Sequence, residues 1–286
     1  MILSLFHRLE VTERRVYPFV SLIKKLLGIK SLTSKVGRKA ELSPEESVTY
    51  GILKQKQTIK TKKAAYEVFR LESRCSYKTF VVSLNRWAWL AALFISLVLK
   101  VNNGWQHAVK HIDSTIINVC KLKNAKHHKT MQGIAALGKT RQGWFYGMKL
   151  HLIADLLGNF LSLIITPGNV SDKDVNLVTK LAKDVWGILI GDAGYVSEKL
   201  AKAINIEKIR IILAKPYKNM KKIATKLQGL LYSTRMLIER HFRCLKEFCG
   251  LETNPPCVDA VEAGLPRSVR GYFANYFYAI AAYLMV

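Results

Sequence analysis

The pattern of the chain changes at Asn102-Asn103-Gly104, and this change is the feature that most limits the possible folds. Before it, apolar residues recur at helical spacing. After it, short apolar runs alternate with turn residues in the manner of strands. The sequence therefore predicts a helical domain over residues 1–103 and an α/β domain with a mixed sheet flanked by helices over residues 104–286, with a C-terminal helix packed on the second domain.

Helix signals are clearest in the first domain. Ser43-Pro44-Glu45-Glu46 forms a capping box, which predicts a helix that begins here and runs to about Lys56. A second helix follows a turn near Thr58, and a third begins at Tyr77. The expected domain is therefore a set of helices joined by short turns.

These helices are basic, with 11 Lys and Arg residues between Lys24 and Lys63. Short, basic helices joined in this way are typical of a helix-turn-helix domain that reads DNA, and Lys78 and Arg86 would lie on its recognition helix. A basic helical bundle that only supports the second domain is an equally good interpretation.

The charge of the whole chain favours a polyanionic partner. Lys and Arg number 45 against 20 Asp and Glu, for a net charge of +25. An excess this large indicates a nucleic acid or an anionic membrane. The apolar runs at residues 87–99 and 272–286 are shorter than the roughly 20 residues that span a bilayer, so both are predicted to be buried helices and no membrane partner is expected.

Cysteine usage is typical of a reduced, cytosolic protein. The five cysteines are odd in number and form no C-x-x-C pair. Cys244 and Cys249 with His241 could bind zinc, but without a second cluster they are better interpreted as buried thiols.

Three acidic residues stand apart from the others. Asp113, in His111-Ile112-Asp113-Ser114-Thr115, and Asp192, in Gly191-Asp192-Ala193-Gly194-Tyr195, each lie at the edge of a predicted strand. Glu239 lies on a later predicted helix and is the first acid after Glu207. Three carboxylates in these positions suit a site for hard divalent cations, which prefer oxygen ligands.

The helix that carries Glu239 has a regular pattern. At 3.6 residues per turn, one face carries Tyr232, Arg235, Glu239, Phe242 and Lys246. Taken alone, this favours an amphipathic helix with an ion pair on its surface.

Together with Asp113 and Asp192, however, this spacing resembles the Y-(2)-R-(3)-E-(6)-K signature of insertion-sequence transposases with a DDE triad. The resemblance runs from about His111 to Lys246 and is closest to the insertion-sequence family numbered 982. Ala193 departs from that family, in which a lysine is common at this position.

The resemblance implies a ribonuclease-H-like fold in which the first and fourth strands are neighbours, so that Asp113 and Asp192 converge. It implies two Mg²⁺ ions, with Mn²⁺ as a substitute, held by Asp113 as the bridging ligand, by Asp192 and by Glu239. The implied activity is cleavage of transposon ends and transfer of the 3′-hydroxyl to target DNA. It also implies double-stranded DNA as the partner, a homo-oligomer that synapses two ends, and a location at the nucleoid in the bacterial cytoplasm.

Several other residues are expected to support such a site. Tyr232, Arg235 and Lys246 would orient Glu239 or contact phosphates. Lys149 lies in the basic segment between Asp113 and Asp155, which contains no acid, and is expected to contact DNA or support the site. Residues 252–266 are predicted to form an irregular loop.

Three other acids, Asp155, Asp172 and Asp174, are assigned to a hairpin strand, a loop and a helix N-terminus and are left out of the metal site.

Two alternatives to a transposase remain. A ribonuclease-H-like nuclease without strand transfer would keep the same three acids, whereas a domesticated, non-catalytic DNA-binding protein would usually lose one of them.

Overall fold

The computed structural model describes residues 2–26, 28, 41–104, 106–195, 197–205, 210–214, 226–252 and 266–285. The chain divides into two compact units. The helical unit comprises Met1–Leu97 and Cys244–Val286, and the sheet unit comprises Val98–Arg243. The loops predicted near residues 31–39 and 252–266 lie almost wholly outside the described residues.

The elements follow one another in an order close to that predicted. The helices are α1 (Ile2–Leu26), α2 (Pro44–Lys56), α3 (Lys62–Ser73), α4 (Tyr77–Val101), α5 (Val175–Leu181), α6 (Glu198–Asn205), α7 (Lys226–Ser233), α8 (Met236–Arg243) and α9 (Val269–Leu284). The strands are β1 (Val109–Cys120), β2 (Ala136–Thr140), β3 (Gly143–Asp155), β4 (Phe160–Pro167), β5 (Gly187–Gly191) and β6 (Arg210–Ala214).

The capping box at the start of α2 is confirmed. The Glu46 amide donates to Ser43 Oγ at 3.1 Å, and the Ser43 amide donates to Glu46 Oε2 at 2.7 Å. These two bonds satisfy amides that the first turn of a helix otherwise leaves without partners. Helix α2 ends at Lys56, as predicted, and α3 is joined to α4 by the three residues Arg74–Ser76, where Arg74 adopts a left-handed conformation with φ 46°.

The predicted position of the C-terminal helix was wrong. Helix α9 packs on α2 in the helical unit instead of on the sheet. Tyr278 donates its hydroxyl hydrogen to the Leu84 carbonyl at 2.8 Å, and Gln55 Nε2 donates to Asn275 Oδ1 at 2.8 Å. A helix that is apolar on most faces can be buried against any partner, so its sequence specifies burial and not the element that covers it.

One helix of the described residues, α4, is long and apolar enough by length and composition to cross a bilayer. Its 25 residues exceed the apolar run at residues 87–99 on which the sequence prediction was based, and a third of its most apolar stretch is buried within the protein. Core helices of soluble proteins meet the same two criteria, so this observation by itself identifies no membrane partner.

The sheet unit contains a mixed sheet with helices against it. Its strand order is β2-β3-β1-β5-β6, and β4 pairs with β3 on the same edge as β2. Strands β1 and β3 are antiparallel, whereas β1–β5 and β5–β6 are parallel. The core beneath this sheet joins Ile112 and Leu189 to residues of α5 and α6.

Two features of the sheet were not anticipated. Strand β1 continues to Cys120, well beyond the expected end at Asp113, because it pairs with β3 along its length. Strand β2 was not predicted, and its short run forms a strand by pairing with residues 143–147 of β3. Pairing across strands is a tertiary contact that local propensity does not report.

Candidate active site

Parallel pairing of β1 with β5 brings two of the three predicted acids together at the carboxyl end of β5. His111 pairs with Ile190, and extending this register by two residues sets Asp113 beside Asp192, just beyond the end of β5. Adjacent strands lie roughly 4.8 Å apart, so residues 79 positions apart in the sequence become neighbours. This agrees with the convergence expected from the resemblance.

Each aspartate is held by a backbone amide. The Ser114 amide donates to Asp113 Oδ1 at 2.8 Å, and the Gly194 amide donates to Asp192 Oδ1 at 2.7 Å. A Cβ on Gly194 would lie only 2.8 Å from Asp192 Oδ1, so a side chain at this position would displace the Asp192 carboxylate from its present direction.

Arg235 joins two of the acids. Its guanidinium donates to Asp113 Oδ2 at 3.3 Å and also donates to Glu239 Oε1. The surface ion pair expected from the helical spacing is therefore present, but the same side chain also reaches β1. The side chains of Asp113, Arg235 and Glu239 are 16%, 30% and 49% exposed, so this group, called the acidic site together with Asp192, runs from a largely buried carboxylate to a half-exposed one.

The environment of Asp113 disfavours its ionised form. Burial raises the pKa of the Asp113 carboxyl to about 7 from an ordinary value of 3.8. The Ser114 amide and the Arg235 guanidinium act in the opposite direction, whereas the negative charges of Asp192 and Asp172 raise the pKa further. A cation at this position would relieve the repulsion among the acids.

The donor chemistry of Asp113, Asp192 and Glu239 fits Mg²⁺, which takes carboxylate oxygens. In the part of the chain that the structure describes, however, no three acidic, histidine or cysteine side chains are gathered closely enough to hold a metal ion. Sequence reasoning predicted the elements that carry the acids, but it did not predict that Arg235 would bond to two of them.

The expectation of one continuous signature helix was wrong. Helix α7 ends at Ser233, a turn holds Arg235, and α8 begins at Met236. The Ser233 and Thr234 hydroxyls donate to the carbonyls of Leu230 and Leu231, both at 2.6 Å. Such local bonds compete with the helical ladder, which explains the break.

The other signature residues have different surroundings. Tyr232 lies on α7 and is half-buried, and burial raises the pKa of its phenol. Lys246 lies in a π-helical turn, Cys244–Phe248, within the helical unit, where its Nζ is 3.7 Å from Glu252 Oε2. Lys78 and Arg86 are exposed on α4 of the helical unit.

Lys149 is buried, so it is not an exposed DNA contact. Its Nζ donates to the Val170 carbonyl at 3.0 Å and to Asp172 Oδ1 at 3.2 Å. These two bonds hold the ammonium group in a polar network. Of the two roles expected for Lys149, DNA contact and support of the site, only the second stays a prediction.

Two residues near the acidic site were not among the site residues predicted from the sequence. Asp172 Oδ1 accepts a hydrogen bond from Ser114 Oγ at 2.7 Å, which places this acid beside β1. Tyr195, three residues after Asp192, is 2% exposed, and the negative charges of Asp113, Asp172 and Asp192 all act on its phenol. The only sequence signal for Tyr195 was its place in the Asp192 motif, and Asp172 had none.

The other two acids that were left out have local roles. Asp155 Oδ1 accepts from the amides of Leu157 and Asn159, both at 2.9 Å, and so closes the β3–β4 turn. Asp174 caps α5 by accepting from the Leu177 amide at 2.8 Å.

Comparison with known proteins gives one family. The family model described as "Transposase DDE domain" matches residues 103–256, which is more than half of the chain. No curated protein sequence matches. Solved structures that match include a Mos1 transposase paired-end complex with the left transposon end (12% identity, 87% of this chain and 77% of that chain, TM-score 0.26) and a Mos1 mariner paired-end complex with Mn (11% identity, 80% and 86%, TM-score 0.25). At these TM-scores the structural similarity supports no inference about this chain.

Proposed function

We propose that this chain, which belongs to the DDE transposase family, is the transposase of a bacterial insertion sequence of the family numbered 982. The grounds are that membership and the geometry of the acidic site. Its catalytic residues in this proposal are Asp113, Asp192 and Glu239. The observation that carries the proposal is that Arg235 bonds to both Asp113 and Glu239, while Asp192 follows the strand that is paired with β1.

The sheet order supports a ribonuclease-H-like fold for the sheet unit. Antiparallel strands β1, β3 and β4 are followed by β5 and β6, which lie parallel to β1 on its other side. This order places Asp113, which lies within β1, beside the carboxyl end of β5, and α8 contacts β1. The three acids thus come from three separate parts of the chain.

In the proposed reaction, Asp113, Asp192 and Glu239 would hold divalent cations. Two Mg²⁺ ions, or Mn²⁺ in their place, would stabilise the attacking and leaving oxygens of phosphodiester cleavage and of the joining step. Arg235 orients Asp113 and Glu239, and the Ser114 and Gly194 amides fix the directions of the two aspartates. Lys246 and Tyr232 are proposed to contact phosphates or bases at the DNA end.

The proposed partner is double-stranded DNA, both the ends of the element and the target, bound by a homo-oligomer that synapses two ends. The helical unit is proposed to read the ends through α3 and α4, and the protein would act at the nucleoid in the cytoplasm. The net charge of +25 supports a nucleic-acid partner.

The proposal is tested with labelled DNA that carries the ends of the element together with unlabelled target DNA. Asp113→Asn, Asp192→Asn and Glu239→Gln are each expected to abolish Mg²⁺-dependent cleavage and joining while DNA binding is kept, because each removes a carboxylate ligand. Asp184→Asn makes the same change at an exposed acid of the sheet unit and is expected to leave both steps intact.

The products separate the proposed transposase from its alternatives. Labelled ends joined to target DNA, formed only when Glu239 is intact, support the transposase. Nicking without joining would identify a nuclease, and DNA binding without any cleavage would identify a non-catalytic DNA-binding protein. Full cleavage by a triad variant in a clean preparation would refute the assignment of the acids.

A further inference from the structure

His111 lies on β1 two residues before Asp113 and is fully buried. Side chains two residues apart in a strand point to the same face of the sheet. On this face Asp113 accepts a hydrogen bond from Arg235. His111 Nε2 lies 2.8 Å from Thr234 Oγ1. Two successive residues of the turn between α7 and α8 are therefore bonded to the same face of β1.

The direction of the bond between His111 and Thr234 follows from the other bond of the threonine. A hydroxyl group has one hydrogen, and the Thr234 hydroxyl donates it to the Leu231 carbonyl at 2.6 Å. The Thr234 oxygen can therefore only accept from His111, so Nε2 of the imidazole carries a hydrogen. The other ring nitrogen, Nδ1, is buried and has no hydrogen-bond partner among the described residues. The contact with the turn is thus the bond that the imidazole of His111 makes.

The turn that receives this bond is weakly held by its own backbone. The amides of Thr234 and Arg235 donate to carbonyls three residues back, at 3.3 Å and 3.2 Å. These bonds are longer than the usual value of about 2.9–3.0 Å, and bonds to the third residue back have poorer geometry than those of an α-helix. Arg235 nevertheless bonds from this turn to both Asp113 and Glu239. Its position therefore depends on bonds from outside the turn, and His111 supplies one of them from β1.

We propose that His111 is a positioning residue of the acidic site. By donating to Thr234, it fixes the turn from which Arg235 reaches the acids of β1 and α8, and so it holds these two acids in place for a divalent cation. This inference rests on the proposed function and extends it to a residue that neither the triad nor the signature includes. Outer groups that orient the ligands of a metal typically change metal affinity or activity roughly 10- to 100-fold when they are removed.

The test compares His111→Leu, Thr234→Val and the double variant in the full-length chain. Each single change removes one partner of the bond with little change in the size of the side chain. The affinity for Mn²⁺, measured by isothermal titration without DNA, is expected to fall roughly tenfold in each single variant. The double variant is expected to bind no more weakly than the weaker single variant, because both changes remove the same interaction. Thr234→Ser keeps the hydroxyl and is expected to bind Mn²⁺ as the wild type does.

Thr166→Val provides a matched control. Thr166 on β4 lies 2.8 Å from Nε2 of the buried His151, so this change also removes a bond between a buried histidine and a threonine. That bond joins β3 to β4, which carry none of the three acids. Thr166→Val is therefore expected to lower the melting temperature, as Thr234→Val does, but to leave Mn²⁺ affinity unchanged.

The possible outcomes can be distinguished. If the wild type binds Mn²⁺ and cleaves DNA while both single variants bind Mn²⁺ equally well, the inference is wrong and the proposed function stands. An equal loss of affinity in Thr166→Val would overturn the inference, because the loss would then reflect stability in general. An additive loss in the double variant would also overturn it, because the two residues would then act separately. A wild type that binds no Mn²⁺ would overturn the proposed function and this inference with it.

The test does not depend on the buried histidine variant alone. If His111→Leu does not fold, Thr234→Val and Thr234→Ser decide, since Thr234 is only half-buried. A loss of Mn²⁺ affinity in Thr234→Val that Thr234→Ser restores would support the inference, and equal affinities in these two variants would contradict it.

Discussion

Asp113 is proposed to bind metal, and its burial makes it destabilising when it is ionised. Its pKa of about 7 in the folded protein lies above the ordinary value of 3.8, so between these pH values the folded state binds more protons than the unfolded state. The free energy of unfolding therefore falls as the pH rises from about 4 through 7. For a pKa shift of this size, the fall is at most about 4 kcal/mol.

This predicts that Asp113→Asn, measured without divalent cations, raises the free energy of unfolding at pH 8 and changes it little at pH 4. The asparagine is uncharged at both pH values, and its side-chain oxygen can still accept from the Ser114 amide. Urea denaturation in EDTA at the two pH values measures the difference. The exposed Asp184→Asn serves as control, and an Asp113→Asn protein that is less stable than the wild type at pH 8 would contradict the prediction.

At the scale of elements, α3 and α4 form the helix pair that the sequence suggested as a DNA reader. Lys78, Val82, Arg86 and Trp89 are all exposed and recur at spacings of three and four residues, so they share one face of α4. Asn85, by contrast, accepts a hydrogen bond from Lys62 on α3 and so helps to join the two helices. The exposed face carries two cations and an indole ring.

Lys78→Ala and Arg86→Ala are expected to weaken binding of the element's ends, and each should lower the salt dependence of log K by roughly one unit, because each would remove one phosphate contact. Fluorescence anisotropy at several salt concentrations measures both effects. Arg14→Ala removes one exposed cation that is paired with Glu10 on α1, and it is expected to have little effect. Equal losses in all three variants would refute a specific reading surface on α4.

At the scale of the whole molecule, the net charge is the feature that bears on the proposed association with DNA. The chain has a net charge of +25, so its affinity for duplex DNA is expected to fall steeply as the salt concentration rises, because many lysines displace counterions. The slope of log K against log salt concentration is expected to be about −5 or more negative. Binding measured from roughly 50 to 300 mM salt provides the test. A flat response, or stronger binding to anionic vesicles than to DNA, would favour the membrane partner that the charge also allows.

The sequence by itself determined most of the elements, though not β2 or the interruption between α7 and α8. Helix α2 follows from a capping box whose bonds form between residues three apart, and strands β3 to β6 follow from apolar runs bounded by turn residues. The local pattern also places Asp192 directly after β5, whereas Asp113 lies within β1 and not at its end. These features depend on interactions within a few residues, which the order of amino acids specifies directly.

Only the tertiary structure decided what those elements contact. The packing of α9 on α2, the bond from Arg235 to Asp113 and the bond from Ser114 to Asp172 join residues that are far apart in the chain. A helical pattern shows that a face is buried, but it does not show which element covers that face. The spacing of Arg235 and Glu239 predicts an ion pair, but it does not predict that Arg235 also bonds to an acid on another element. Such contacts arise from how the units fold, so a local pattern cannot specify them.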